Sequence, residues 1–172
     1  MTHAHDEAAL QLLRNPERFP SLPRRSENER RLSLWREPSF IPLSSWSLFQ
    51  DGSSFVVRRL EYDRSLGLPI QPDDPHIYGS EAIIDAARVR DILATFAALE
   101  FPVFRSTTRF GLDGVRYGLR FGDHRQGVEL TWGQEAEGWE ALIALFEQTA
   151  ETLDALLPES TLRLGRLFKA VR

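Results

Sequence analysis

The chain has no cysteine, one methionine and a single lysine, Lys169, among its 172 residues. Lacking cysteine, it has no disulfide, no thiolate metal site, no iron–sulfur cluster and no cysteine nucleophile. No apolar run approaches the roughly 18 to 20 residues that a membrane-spanning helix needs. The opening MTHAHDEAAL carries acidic residues where a signal peptide needs an apolar stretch. The expected location is therefore cytoplasmic, with no membrane span. The motifs that announce common chemistries are also missing: no GxSxG elbow, no GxxxxGK[ST] phosphate loop, no GxGxxG after a strand and no HExxH. No cofactor and no metal site is expected.

What is present reads as a folded domain. The 42% apolar and 27% charged fractions lie near globular averages, and 172 residues suffice for one domain with a real core. The formal charge of −4 argues against a dedicated nucleic-acid binder. All basic residues except Lys169 are arginine. Arginine suits bidentate carboxylate or phosphate recognition; a high-GC coding bias would produce the same usage.

Three parts are expected along the chain. Residues 1–42 read as an irregular Pro/Arg-rich segment with one short helix near Asp6 to Arg14. Within it RRSENERR, from Arg24 to Arg31, has no apolar side chain and reads as solvated surface. Residues 43–158 read as a single α+β domain. SSWSLFQ and SFVVRRLEY flank Asp51-Gly52, a hairpin signal with strands near 44–50 and 54–62. SLGLPIQPDDPHIYG is a proline-rich connection. Ser80 reads as an N-cap for a helix to about Glu100, with Ala82, Ala86, Val89, Ile92, Leu93 and Phe96 on one side.

VFRSTTRF from Val103, then Val115 to Phe121, then Val128 to Trp132 read as consecutive antiparallel strands. Trp139, Leu142, Ile143, Phe146, Ala150, Leu153 and Leu157 form an apolar stripe, predicting a helix from Ala136 to Leu157 with an acidic opposite face. Residues 159–172 form a basic tail or short helix. The order β-β-α-β-β-β-α predicts an α+β fold, an antiparallel sheet with two amphipathic helices on one face and the other face exposed.

Four groups of residues are candidates for function. His3 and His5 beside Asp6 and Glu7 could chelate a metal, but they read first as an ordinary polar end. His76 and Asp74, with His124 in the turn GDHRQG, could act as metal ligands or an acid/base set, because histidine titrates near neutral pH; their spacing matches no known ligand pattern. Between the apolar residues of Val115 to Phe121 lies a second row, Arg116, Gly118 and Arg120. With Arg105 and Arg109 from the strand expected to face it, this row would make a positive patch whose glycine admits a close neighbour. The acidic helix face is the fourth.

The run Asp113-Gly114, Tyr117, Leu119, then Trp132-Gly133, then Trp139 and Leu142 resembles a pattern in small bacterial α+β proteins, some of them immunity-protein-like. The resemblance spans residues 113–157; its residues belong to core and turns, so it bears on the fold far more than on function and transfers no catalytic position. The leading expectation is a non-enzymatic binding protein. A small metal-dependent or acid/base hydrolase built on His76, Asp74 and His124, and a nucleic-acid module using Arg24 to Arg36 and the arginine patch of the sheet, are the alternatives.

Overall fold

The computed structural model describes residues 2–20, 22–39, 42–62, 77–102, 114–123, 125–134 and 136–159. Among them, six strands form one antiparallel sheet: β1 (Arg30–Pro38), β2 (Leu43–Asp51), β3 (Ser54–Tyr62), β4 (Ile77–Ile84), β5 (Val115–Gly122) and β6 (Gly127–Gly133), in the spatial order β4-β3-β2-β1-β5-β6. Three helices accompany it: α1 (Thr2–Arg14), α2 (Ala86–Ala97) and α3 (Glu140–Asp154). The fold is α+β as expected, with α2 and α3 packed on one face of the sheet.

That face is built by alternation. Leu32 and Leu34 of β1, Trp46 and Leu48 of β2, Val57 of β3, and Tyr117 and Leu119 of β5 project to one side and meet Val89 and Phe96 of α2 and Leu142, Phe146 and Leu153 of α3. Tyr117 stacks on Trp132 at 5.7 Å between ring centroids and meets Phe146 edge-on at 5.0 Å. Edge-on and offset contacts of this kind add to the burial energy of the rings. The predicted docking of the α3 stripe onto Tyr117, Leu119 and Trp132 is thus the centre of the core.

Four expectations need correction. The stretch 1–42 is more ordered than its prolines suggest, since β1 occupies the middle of the sheet, paired to β2 on one side and β5 on the other. RRSENERR is anchored: Ser26 and Glu29 form a capping box around the short turn Glu27–Glu29, and Arg30 is buried at 3% exposure. Ser80 belongs to strand β4, and Asp85 caps α2 instead, accepting hydrogen bonds from the N–H groups of Ala87 and Arg88 at 2.8 and 3.2 Å. Asp85 is the better cap by position, because a residue already held in a ladder cannot also open a helix.

Fourth, the second sheet face is covered over β1 to β4. Ala9 and Leu13 of α1, with Phe19, pack on Leu43, Leu60, Tyr62 and Ile77. A sheet covered on both sides buries both residue parities, so seven consecutive residues of β2, Leu43 to Phe49, are buried.

The turns follow local chemistry. Gly52 sits at φ 60, the left-handed conformation that the Asp51-Gly52 hairpin requires. After β5, the Asp123 carboxylate accepts from the N–H groups of Arg125 and Gln126 at 2.7 and 2.9 Å, closing the turn into β6. The predicted strand from Val103 to Phe110 and the tail beyond Glu159 lie outside the described residues.

Candidate binding cleft

The sheet face under α3 turns polar toward one end. On β1 the apolar residues Leu32 and Leu34 are followed by Arg36, and on β3 Val57 is followed by Arg59 and Glu61, all on the same side of the sheet. The facing helix supplies the matching charges. Helix α3 contains Glu140, Glu147, Glu151 and Asp154 and no basic residue. Arg36 donates to Glu147 at 3.0 Å, and Arg59 donates to Asp154 at 3.0 Å and to the carbonyl of Pro158 at 2.7 Å. Trp46 Nε1 reaches the same Asp154 oxygen at 2.7 Å, and the Tyr117 hydroxyl donates to Glu147 at 2.9 Å. These charge-assisted bonds fix the rotation of α3 where the apolar stripe runs out.

Above these pairs lies a cleft of about 550 Å³. Its floor includes Trp46, Ala150 and Leu157, its walls hold the two arginine–carboxylate pairs, and Glu151 and Glu159 stand at its edge. Burial and the bond to Glu147 push the Tyr117 phenol up to about 12, so it stays a protonated donor at neutral pH. Glu147 and Asp154 spend oxygens on partners within the chain, whereas Glu151 is exposed on the outer side of α3. The cleft thus offers an apolar floor, walls of internally paired charge and two exposed carboxylates, Glu151 and Glu159, at its edge, a combination suited to a cationic group carried on an aliphatic stem.

The Arg-Gly row of β5 has a different setting from the one expected. Its facing strand is β1, so Arg116, Gly118 and Arg120 lie opposite Glu37, Trp35 and Ser33. Gly118 is there for the indole of Trp35: a Cβ at this position would stand 1.8 Å from Trp35 Cε2. The close neighbour that the glycine admits is therefore the chain's own tryptophan. Arg120 pairs with Glu27 at 2.7 Å and holds that carboxyl below its usual range. Arg116 remains exposed. Arg105 and Arg109 lie outside the described residues.

Across the same face the N-terminal segment is clipped by buried guanidinium groups. Arg58, with a fully buried side chain, donates to the carbonyls of Pro16 and Pro23 and to Glu81 at 3.0 Å. Arg30 donates to the carbonyl of Arg14 at 2.8 Å and pairs with Glu17 at 3.5 Å. Arg25 bridges Glu81 at 2.9 Å and Asp51 at 2.8 Å. Burial works against the charge of Arg58 and Arg30 and lowers both from their usual value, with Glu81 and Glu17 opposing the shift. Arg31, bound to Gln50 and the carbonyl of Asn28, is likewise turned toward its own chain. Of the arginines expected to face nucleic acid, Arg24 and Arg116 are the exposed ones among the described residues.

His76, Asp74 and His124 lie outside the described residues, as does any juxtaposition among them. His3 and His5 fall within α1. Among the described residues no group of three or more His, Asp or Glu is gathered as a metal site, and no helix is long and apolar enough to cross a membrane. The Arg36–Glu147 and Arg59–Asp154 pairs escape sequence reasoning because their partners stand about a hundred residues apart; the faint signal is an arginine ending an otherwise apolar strand row. Comparison with known proteins adds no relative: the chain matches no family model, no curated protein and no solved structure.

Proposed function

We propose that this chain is a non-enzymatic binding protein that engages a protein partner through the acidic face of α3, with a basic side chain of the partner entering the cleft. The observation that carries this reading is that α3 carries four carboxylates and no cation of its own, and that beyond the pairs Arg36–Glu147 and Arg59–Asp154 the cleft edge adds exposed Glu151 and Glu159 over an apolar floor. Exposed acidic surface of one sign speeds encounter with a basic partner and selects against acidic ones. The immunity-protein-like pattern over residues 113–157 supports the same reading, since it runs through β5, β6 and α3, the elements that support this face. The Arg-Gly row is the weaker docking surface, because Trp35 and Glu27 of the same chain already occupy two of its three positions.

The test uses the capped peptide acetyl-Gly-Arg-Gly-amide as a probe, titrated into isotope-labelled protein. Amide shifts confined to residues 147–159, weakened by salt and lost in the Glu151→Lys/Glu159→Lys variant, are the expected result. Shifts that survive that double charge reversal, or none in α3 at all, would sink the reading.

A further inference from the structure

Strand β6 ends the sheet, and among the described residues nothing pairs with its outer edge. The hydrogen bonds at its two ends reveal which residues face that edge. Gln134 N–H donates to Val115 at 2.9 Å, and Asp123 N–H donates to Gln126 at 2.9 Å. In an antiparallel ladder the bonded residues alternate. Residues 128, 130 and 132 therefore bond inward to β5, and Gly127, Glu129, Thr131 and Gly133 direct their N–H and C=O groups outward.

Three devices that usually blunt such an edge are missing from GVELTWG, which has no proline, no lysine and no bulge; its single charge is Glu129. Its side-chain order is also self-complementary. When two copies of β6 run antiparallel about Leu130, Gly127 faces Gly133, Val128 faces Trp132 and Glu129 faces Thr131. All four outward residues then meet outward residues, each such pair exchanging two main-chain hydrogen bonds. The neighbouring registers centred on Glu129 or Thr131 are poorer, the first placing two glutamates opposite each other. Val128, one of two large apolar side chains left exposed among the described residues, at 47%, would lie against the partner's Trp132 and extend the core beneath α3 across the junction. The opposite edge differs: Phe19 packs against Gly79 of β4, and Arg25 holds Glu81, so the N-terminal segment overlays that strand.

We propose that two copies of this chain associate through β6, edge to edge and antiparallel about Leu130, into one continuous twelve-stranded sheet. The occupant of the edge is a second copy because the register that satisfies every outward backbone group is also the one that avoids facing glutamates. Thr131 is exposed and lies opposite Gly118, which has no side chain, so substitutions there leave the β5–β6 ladder intact.

Sedimentation equilibrium over a concentration series reads the association directly. Thr131→Pro, which removes an outward N–H alone, should abolish the dimer. Thr131→Glu, set against Glu129 of the second copy, should weaken it, and Thr131→Lys should strengthen it, each by roughly tenfold at low salt because the contact occurs twice. Circular dichroism and thermal unfolding check that all three fold. Hydrogen exchange gives a second readout, with the Glu129 and Thr131 amides protected only at dimer-forming concentrations. A monomer throughout, a dimer indifferent to the three substitutions, or protection of those amides independent of concentration would each overturn the proposal.

Discussion

The two faces of the sheet are held by different physics. Under α2 and α3, apolar side chains at strand and helix spacing interlock, and charges enter only where the stripe ends, at Arg36 and Arg59. Under the N-terminal segment a small apolar cluster around Leu13, Phe19 and Leu60 is flanked by guanidinium groups whose terminal nitrogens reach backbone carbonyls and carboxylates. Hydrophobic burial is non-directional and tolerates local slippage. A buried guanidinium is not tolerant: it must be paired or it costs several kcal/mol. The first face therefore supplies bulk stability, and the second fixes where an otherwise proline-broken segment lies.

The sharpest way to break this contrast is Arg58→Ala beside Phe146→Ala, both followed by urea unfolding. Each is expected to cost about 3 to 5 kcal/mol, the phenylalanine through a cavity and the arginine by stranding two carbonyls and leaving the Glu81 carboxylate to Arg25 alone. Arg58→Met should recover part of the loss by refilling the volume without the charge. An Arg58→Ala cost below about 1 kcal/mol would mean that the N-terminal segment is held by its apolar cluster alone.

A smaller effect comes from Tyr117, whose phenol is raised from 10.0 to about 12 by burial and by its bond to Glu147. Because the folded value lies above the unfolded one, the stabilisation is complete below pH 10 and is lost as pH rises toward 12. Two units correspond to about 2 to 3 kcal/mol. Unfolding free energy should fall across that window in the wild type and fall less in Tyr117→Phe; equal slopes would show that the phenol does not govern alkaline stability.

The smallest effect is at the boundary between the faces' regimes. The Glu27 carboxyl is lowered by its hydrogen bond to Arg120, so its contribution is present above the usual carboxylate value of 4.5 and lost as pH falls through the lowered one. Glu27 is half exposed, so Glu27→Gln should cost at most about 1 kcal/mol, and less in high salt. A larger, salt-insensitive loss would place this pair with the buried clips.

The difference between the faces also decides what was legible. Val115, Tyr117, Leu119 and Phe121 and the stripe from Trp139 to Leu157 announce each other, because period two and period 3.6 are local signals and apolar faces must meet. Asp51-Gly52 announces its hairpin for the same reason. Ile77 to Gly79 reads as the end of a connection and Ser80 to Ile84 as a first helical turn, because Ala82 falls in line with Ala86 and Val89; only pairing with β3 selects the strand. RRSENERR reads as solvated because the partners that bury it are not marked by any local periodicity: Glu81 is 56 residues from Arg25, and Glu17 is 13 from Arg30.

The cleft was half legible: the acidic face of α3 is written in the helix itself, whereas Arg36 and Arg59 arrive from strands far away in the chain. The Arg-Gly row was legible as a pattern and not as a setting. Gly118 does mark a close approach, and its neighbour is Trp35, brought there by the pairing of β1 with β5.

By itself the amino-acid order determined the class of fold, the helix-covered core and the absence of thiol chemistry, since these depend on composition and on short periodicities. Tertiary structure alone decided that the second sheet face is covered, that arginines at 25, 30 and 58 are spent internally, and that among the described residues no strand pairs with the outer edge of β6. The physical reason is range. Periodicity acts within a few residues, whereas the partner of a buried charge or of a strand edge is chosen by whichever distant segment the packing of the rest brings near.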